Sequence, residues 1–199
     1  MTTLELRFLG EFGVLRDGRP LPLPPSKKTR ALLAYLSMNA RRQRREHLCE
    51  LLWEIPDDPR GSLRWSLSKL RRLLDDEARE RVVADRAYVG IDVEGVTVDA
   101  AALQSLAAGD LARLPTEVLE RAAARYAGDF LEGLDLSGFH DFHAWCAAER
   151  ERTARARAAI LRELVQRLAN EPARALPHAR ALVGLLPYDE PARAGLVRL

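Results

Sequence analysis

The sequence predicts an α+β winged helix-turn-helix domain over residues 1–95 and an all-α, tetratricopeptide-like domain over residues 96–199. Three observations carry this prediction. The N-terminus alternates in the two-residue rhythm of strands, the middle of the first half holds three amphipathic helical patterns followed by a hairpin, and only helical patterns follow Asp99.

Leu4, Leu6 and Phe8 alternate with Glu5 and Arg7, and a second apolar stretch from Phe12 to Leu15 runs into Asp17-Gly18, a strong hairpin signal. Short antiparallel strands follow from this. Pro20, Pro22, Pro24 and Pro25 exclude regular helix until Ser26, which is placed to cap a helix running to about residue 38. Its apolar stripe is Leu32, Leu33 and Leu36. Lys27, Lys28 and Arg30 crowd its first turn against the helix dipole, which suggests that they serve a partner. A second helix is expected from about residue 44 to 53, burying Leu48, Leu51 and Leu52 and stopping before Pro56.

The third helix carries the most information. Asp58 is its N-cap, Pro59 its first residue, and it is expected to reach about residue 75. With residues spaced at about 100°, Leu67, Leu70 and Leu74 fall within about 40° of Leu63, which defines a buried stripe. Arg64, Trp65, Ser68, Lys69 and Arg72 lie opposite. A leucine-anchored helix presenting Arg, Ser and Lys has the chemistry for a major groove, where Arg pairs with guanine edges and phosphates. Val82 and Val83 then lead through Asp85-Arg86 to Tyr88, Val89 and Ile91, a second hairpin with Arg86 at its tip. That element order makes a winged helix, and a wing-tip Arg suits a narrow minor groove.

Beyond Gly95, helices are expected over about 100–108, 116–127, 139–168 and 172–186, and from 190 onward, with Asp99 capping the first. Ile160, Leu161, Leu164 and Leu168 keep the spacing of a buried face. Pro177 must kink the fourth helix or mark its true start. The last pattern reaches Leu199 without a C-terminal cap, as if that helix were cut short there.

Charge divides along the chain in the same way. The whole sequence carries only +2, but the stretch from Ser26 to Arg72 has twelve Lys or Arg against five Asp or Glu, whereas Val96 onward has thirteen against fourteen. A local basic surface is the electrostatic footprint of a phosphate-backbone ligand. No apolar run approaches the roughly 20 residues of a membrane span, and MTTLELRF lacks a signal-peptide core, so a cytoplasmic location is expected with no membrane partner. Cys49 and Cys146 have no paired spacing, which fits a reducing compartment.

The motifs of an enzyme are missing from the sequence: it has no glycine-rich phosphate loop, nucleophile elbow or suggestively spaced carboxylate pair. Neither catalysis nor a cofactor is expected. His140, His143 and Cys146 have a metal-like look, but His140 and Cys146 would lie about 240° apart on a helix, so packing beside Trp145 is the better reading. Trp53, Phe130, Phe139 and Phe142 read as core aromatics.

The stretch LRFLGEFGVLRDGRPLPLPPSKKTRALLAYL, followed by HLCELLW and SLRWSLSKLRRLL, resembles the winged-helix domain of the SARP-type bacterial activators, the antibiotic regulatory proteins of actinobacteria. Val98-Asp99 and YAGDFLEGLDLSGFHDFHAWCAAERER resemble the bacterial transcriptional activator domain that follows it there. The resemblance implies a sequence-specific activator whose protomers associate side by side on direct repeats of double-stranded promoter DNA and help to recruit RNA polymerase. By position it implies Arg64, Ser68, Lys69, Arg71 and Arg72 on the third helix and Arg86 on the wing as DNA contacts. Three residues depart from the family pattern: Trp65 stands where a polar residue is usual, Arg44 where a small hydroxyl caps the second helix, and Asp85-Arg86-Ala87 is poorer in glycine than most wings. The competing expectation is a helical protein-interaction scaffold whose winged helix no longer reads DNA; the basic stretch with its Arg-bearing third helix weighs against it.

Overall fold

A computed structural model of the chain describes residues 3–39, 41–53, 58–77 and 79–199. Strands β1 (Leu4–Arg7), β2 (Gly13–Arg16) and β3 (Arg19–Pro20) precede helix α1 (Lys27–Met38), and β4 (Gln43–Arg44) runs directly into α2 (Arg45–Leu52). Helix α3 (Pro59–Leu74) is followed by β5 (Val82–Ala84), β6 (Tyr88–Ile91) and β7 (Val96–Val98). The remainder is helical: α4 (Asp99–Ala108), a 3₁₀ turn (Leu111–Arg113), α5 (Thr116–Ala124), α6 (His140–Arg167), α7 (Pro172–Leu185) and α8 (Glu190–Arg198). An α+β region with two small sheets is thus followed by an all-helical region, as expected.

The first sheet has the order β3-β2-β1-β7, antiparallel except where β7 lies parallel to β1. Asp17 and Gly18 turn β2 into β3 with φ of 51° and 75°, the mirror-image turn whose twist matches the strands it joins. The second sheet, β4-β6-β5, is antiparallel and pairs Val82 with Ile91 and Arg44 with Tyr88. Strand β3 is the second arm of the hairpin signalled by Asp17-Gly18, whereas β4 and β7 were not expected. Strand β4 is two residues long and β7 three, and only pairing with distant chain defines them.

Helix α1 is buried on more than a stripe. Thr29, Ala31, Ala34, Tyr35 and Ser37 are enclosed along with Leu32, Leu33 and Leu36, so α1 is the central helix of the first half. Its basic first turn is partly used within the molecule: the Lys28 ammonium lies 4.5 Å from the centre of the Phe139 ring, and Arg30 donates to the Pro25 carbonyl at 3.0 Å. Helix α2 ends at Leu52 with Trp53 as C-cap; Pro56, expected to stop it, lies outside the described residues.

Asp99 is not the cap expected for α4 but its first residue. Its buried carboxylate accepts from the backbone N–H groups of Phe8 (2.8 Å), Leu9 (3.1 Å) and Ala100 (2.7 Å), which ties the end of β1 to the start of α4. Helix α5 stops at Ala124, three residues short of expectation, and α7 starts at Pro172 and passes through Pro177. Helix α6 packs on α4, α5 and α7, and α7 packs on α8.

The two halves share one core. Leu9 and Phe130 form an antiparallel bridge, with Gly10 N–H donating to Asp129 O at 2.9 Å and Leu131 N–H to Phe8 O at 2.7 Å. Gly10 sits there at φ 84°, and a Cβ on it would lie 3.1 Å from the Gly128 backbone, so both the angle and the space require glycine. Around this seam Phe8 meets Phe130 edge-on at 6.2 Å, and Trp145 of α6 contacts Phe130 at 5.6 Å and Tyr35 of α1 at 4.9 Å. The boundary expected at 95/96 falls just before β7, which pairs with β1.

Candidate nucleic-acid interface

The third helix is fixed at both ends by side chains. Asp58 Oδ1 accepts from Gly61 N–H at 2.8 Å, and Pro59 fills the first position, where a missing N–H costs nothing. A Cβ on Gly61 would stand 2.2 Å from Asp58 Oδ2, so a larger residue there would make the Asp58 carboxylate turn aside. At the other end Arg16 of β2 reaches over and donates to the carbonyls of Leu73 (3.0 Å) and Leu74 (3.1 Å), which would otherwise lack partners. Leu63, Leu67, Leu70 and Leu74 are fully enclosed, joined by Leu73 and by Ser66, whose hydroxyl bonds that of Thr29 on α1 at 2.9 Å.

These anchors determine which side faces outward. Arg64, Ser68, Arg71 and Arg72 are exposed, and Lys69 is half-buried. Arg64 approaches Asp58 at 3.8 Å, but both side chains are about 70% exposed, so the pair is weak and yields readily to another anion. Lys69 carries its ammonium 5.1 Å from the centre of the Trp65 ring one turn earlier. Five of the six residues singled out from the sequence therefore share one helix surface.

The sixth, Arg86, occupies the exposed turn between β5 and β6. Asp85 shapes that turn: its Oδ1 accepts from Ala87 N–H (2.8 Å) and Tyr88 N–H (2.7 Å), and these bonds hold its carboxyl below the usual range. Arg45 donates from Nε to Asp85 O at 2.8 Å, and Arg42 meets the Asp85 carboxylate at 3.3 Å. The wing thus keeps its shape through an aspartate and two arginines rather than through glycine.

Arg41 and Arg44 were counted in the basic stretch but not named as DNA contacts. Both are exposed at β4, where Arg44 pairs with Tyr88 and holds its guanidinium 6.0 Å from that ring. Four arginines within residues 41–45 were the available signal. His140, His143 and Cys146 do not converge: Cys146 is buried, its thiol pushed up to about 12 by desolvation, while His143 Nε2 contacts Asp135 at 3.0 Å and Leu136 O at 2.7 Å.

A family model described as bacterial transcriptional activator domain matches residues 93–198. The chain belongs to that family. It is a family of transcriptional regulators rather than of enzymes. The activator domain so defined begins before β7 and includes Asp99, the Gly128–Leu134 loop and Trp145, so it supplies the helical side of each attachment to the first half. The chain is also similar to Mycobacterium tuberculosis EmbR, solved in complex with a low-affinity phosphopeptide, at 24% identity and a TM-score of 0.71. That likeness covers 99% of this chain and 54% of EmbR, so the chain spans about half of that structure's length with the same fold. No curated protein matches the sequence. Among the described residues no helix is long and apolar enough to cross a membrane.

Proposed function

We propose that this activator-domain protein is a cytoplasmic, sequence-specific DNA-binding activator that associates side by side on direct repeats in promoter DNA and recruits RNA polymerase. Helix α3 enters the major groove with Arg64, Ser68, Lys69, Arg71 and Arg72, and Arg86 of the β5–β6 turn touches the neighbouring minor groove. The observation that supports this reading is the orientation of α3: six enclosed side chains hold it, and the face left outward is Arg, Ser, Lys and Arg. Side-chain donors of these types suit base edges and phosphates, and the positive stretch from Ser26 to Arg72 supplies the attraction to a polyanion. Division of labour completes the proposal, with residues 1–95 holding DNA and 96–199 mediating assembly.

The test is in vitro selection of duplexes retained by the full chain, followed by sequencing. Enrichment of a repeated half-site at fixed spacing is the expected outcome. Retention of duplexes without any common sequence, or none retained at low salt, would remove the reading.

A further inference from the structure

Trp65 is the anomaly on the surface of α3. Tryptophan is among the most enclosed side chains on average, and Trp53 of this chain is 7% exposed, yet Trp65 is 47% exposed. Its direction follows from what is buried around it. With Leu63 at zero and about 100° per residue, the enclosed side chains Leu63, Ser66, Leu67, Leu70, Leu73 and Leu74 occupy an arc from about −80° to about 40°. The outward line is then at about 160°, flanked by Ser68 at about 140°, Arg72 at about 180° and Trp65 at about 200°. Arg64 lies some 60° to one side. Of the side chains near that line, only Trp65 belongs to the first half of the helix, the part of a groove-bound helix that meets base edges.

We infer that Trp65 is a specificity-determining residue that reads a thymine in the major groove by packing its indole against the C5-methyl group. This rests on the reading of α3 as the DNA-contacting helix. The thymine methyl is the one apolar group on the major-groove floor, and an exposed indole is the one large apolar surface α3 offers. Lys69 adds a second element: stacked on the ring at 5.1 Å, its ammonium neutralises nearby phosphate charge while the indole occupies the base. An indole turned to solvent also carries a cost in the free protein that is recovered when a methyl group covers it.

The experiment replaces single thymines in the selected duplex by deoxyuridine, which removes the methyl and nothing else. Loss of one buried methyl contact is expected to weaken binding of the full-length parent about three- to fivefold at one position. Trp65→Ala is expected to bind the thymine duplex more weakly by at least that factor, to bind random DNA as the parent does, and to ignore deoxyuridine at that position. Trp65→Phe should retain part of the discrimination, and Trp65→Gln replaces the alanine variant if the latter lowers the melting temperature. Trp65→Ala binding the selected duplex as the parent does would overturn the inference. So would a variant that still senses the same deoxyuridine, or one that keeps full DNA affinity but loses self-association by sedimentation, which would assign the indole to a protein partner. A parent that does not distinguish selected from random duplex would instead defeat the underlying DNA reading, so the two failures are separable.

Discussion

Arg72 and Arg86 are exposed and make no charge contact among the described residues, so their removal touches the ligand and not the fold. Arg72→Ala and Arg86→Ala are each expected to weaken binding evenly across sequences and to reduce the slope of log affinity against log salt by about one, measured by titration at several salt concentrations. Cys146 is the opposite kind of residue. Desolvation pushes its thiol from 9.0 up to about 12, so the fold retains the proton over a range in which the unfolded chain has lost it. Stability from this group is whole below pH 9.0 and falls as pH rises towards about 12, by at most about 1.4 kcal/mol per pH unit. Urea unfolding between pH 8 and 11 should show the decline in the parent and a flatter profile in Cys146→Ala.

Helices were the legible elements, because each writes its own boundary. Asp58-Pro59, the leucine spacing and the outward basic face of α3 were all readable before any coordinate, and the same signals make the helix testable. Asp58→Ala removes the N-cap bond to Gly61 and is expected to lower stability by about 1 kcal/mol, with DNA affinity following only through helix fraying; thermal unfolding and binding at matched salt separate the two effects. What was not legible is tertiary. Strand β4 reads as a run of arginines, β7 as the short connection between Gly95 and Asp99, and Asp99 as a cap, because the groups that pair with them are distant in sequence: Tyr88, Leu4–Leu6, and the N–H groups of Phe8 and Leu9. The side of α3 that faces outward was read correctly from four leucines, but the enclosure of Ser66 and Leu73 turns its centre by about 30°, from beside Trp65 to between Ser68 and Arg72, which amphipathic spacing alone did not resolve. Similarly, the cations opening α1 suggested a partner, yet Lys28 rests on Phe139 within the molecule.

At the scale of the whole molecule, the two glycine-bearing motifs, FLGEFG and AGDFLEGL, meet each other at the Gly10–Gly128 approach. The helical region therefore attaches to the first sheet through a backbone bridge, a buried carboxylate and an aromatic cluster, and orientation between α3 and the helical region is built in rather than left to a linker. A fragment of residues 1–95 would lose β7, the Asp99 carboxylate and the cover over Phe8, so it is expected to melt lower than the full chain. Phe130→Ala in the full chain should cost about 3–5 kcal/mol by chemical denaturation and loosen the coupling between the halves. The central claim, that the outward face of α3 reads DNA, is met most directly by measuring Arg64→Ala on the selected duplex and on random duplex at one salt concentration, alongside its melting temperature. A loss of about 1–3 kcal/mol on the selected duplex, relaxed choice at one base pair and an unchanged melting temperature are the results expected. Binding to both duplexes indistinguishable from the parent, with the fold intact, would contradict it.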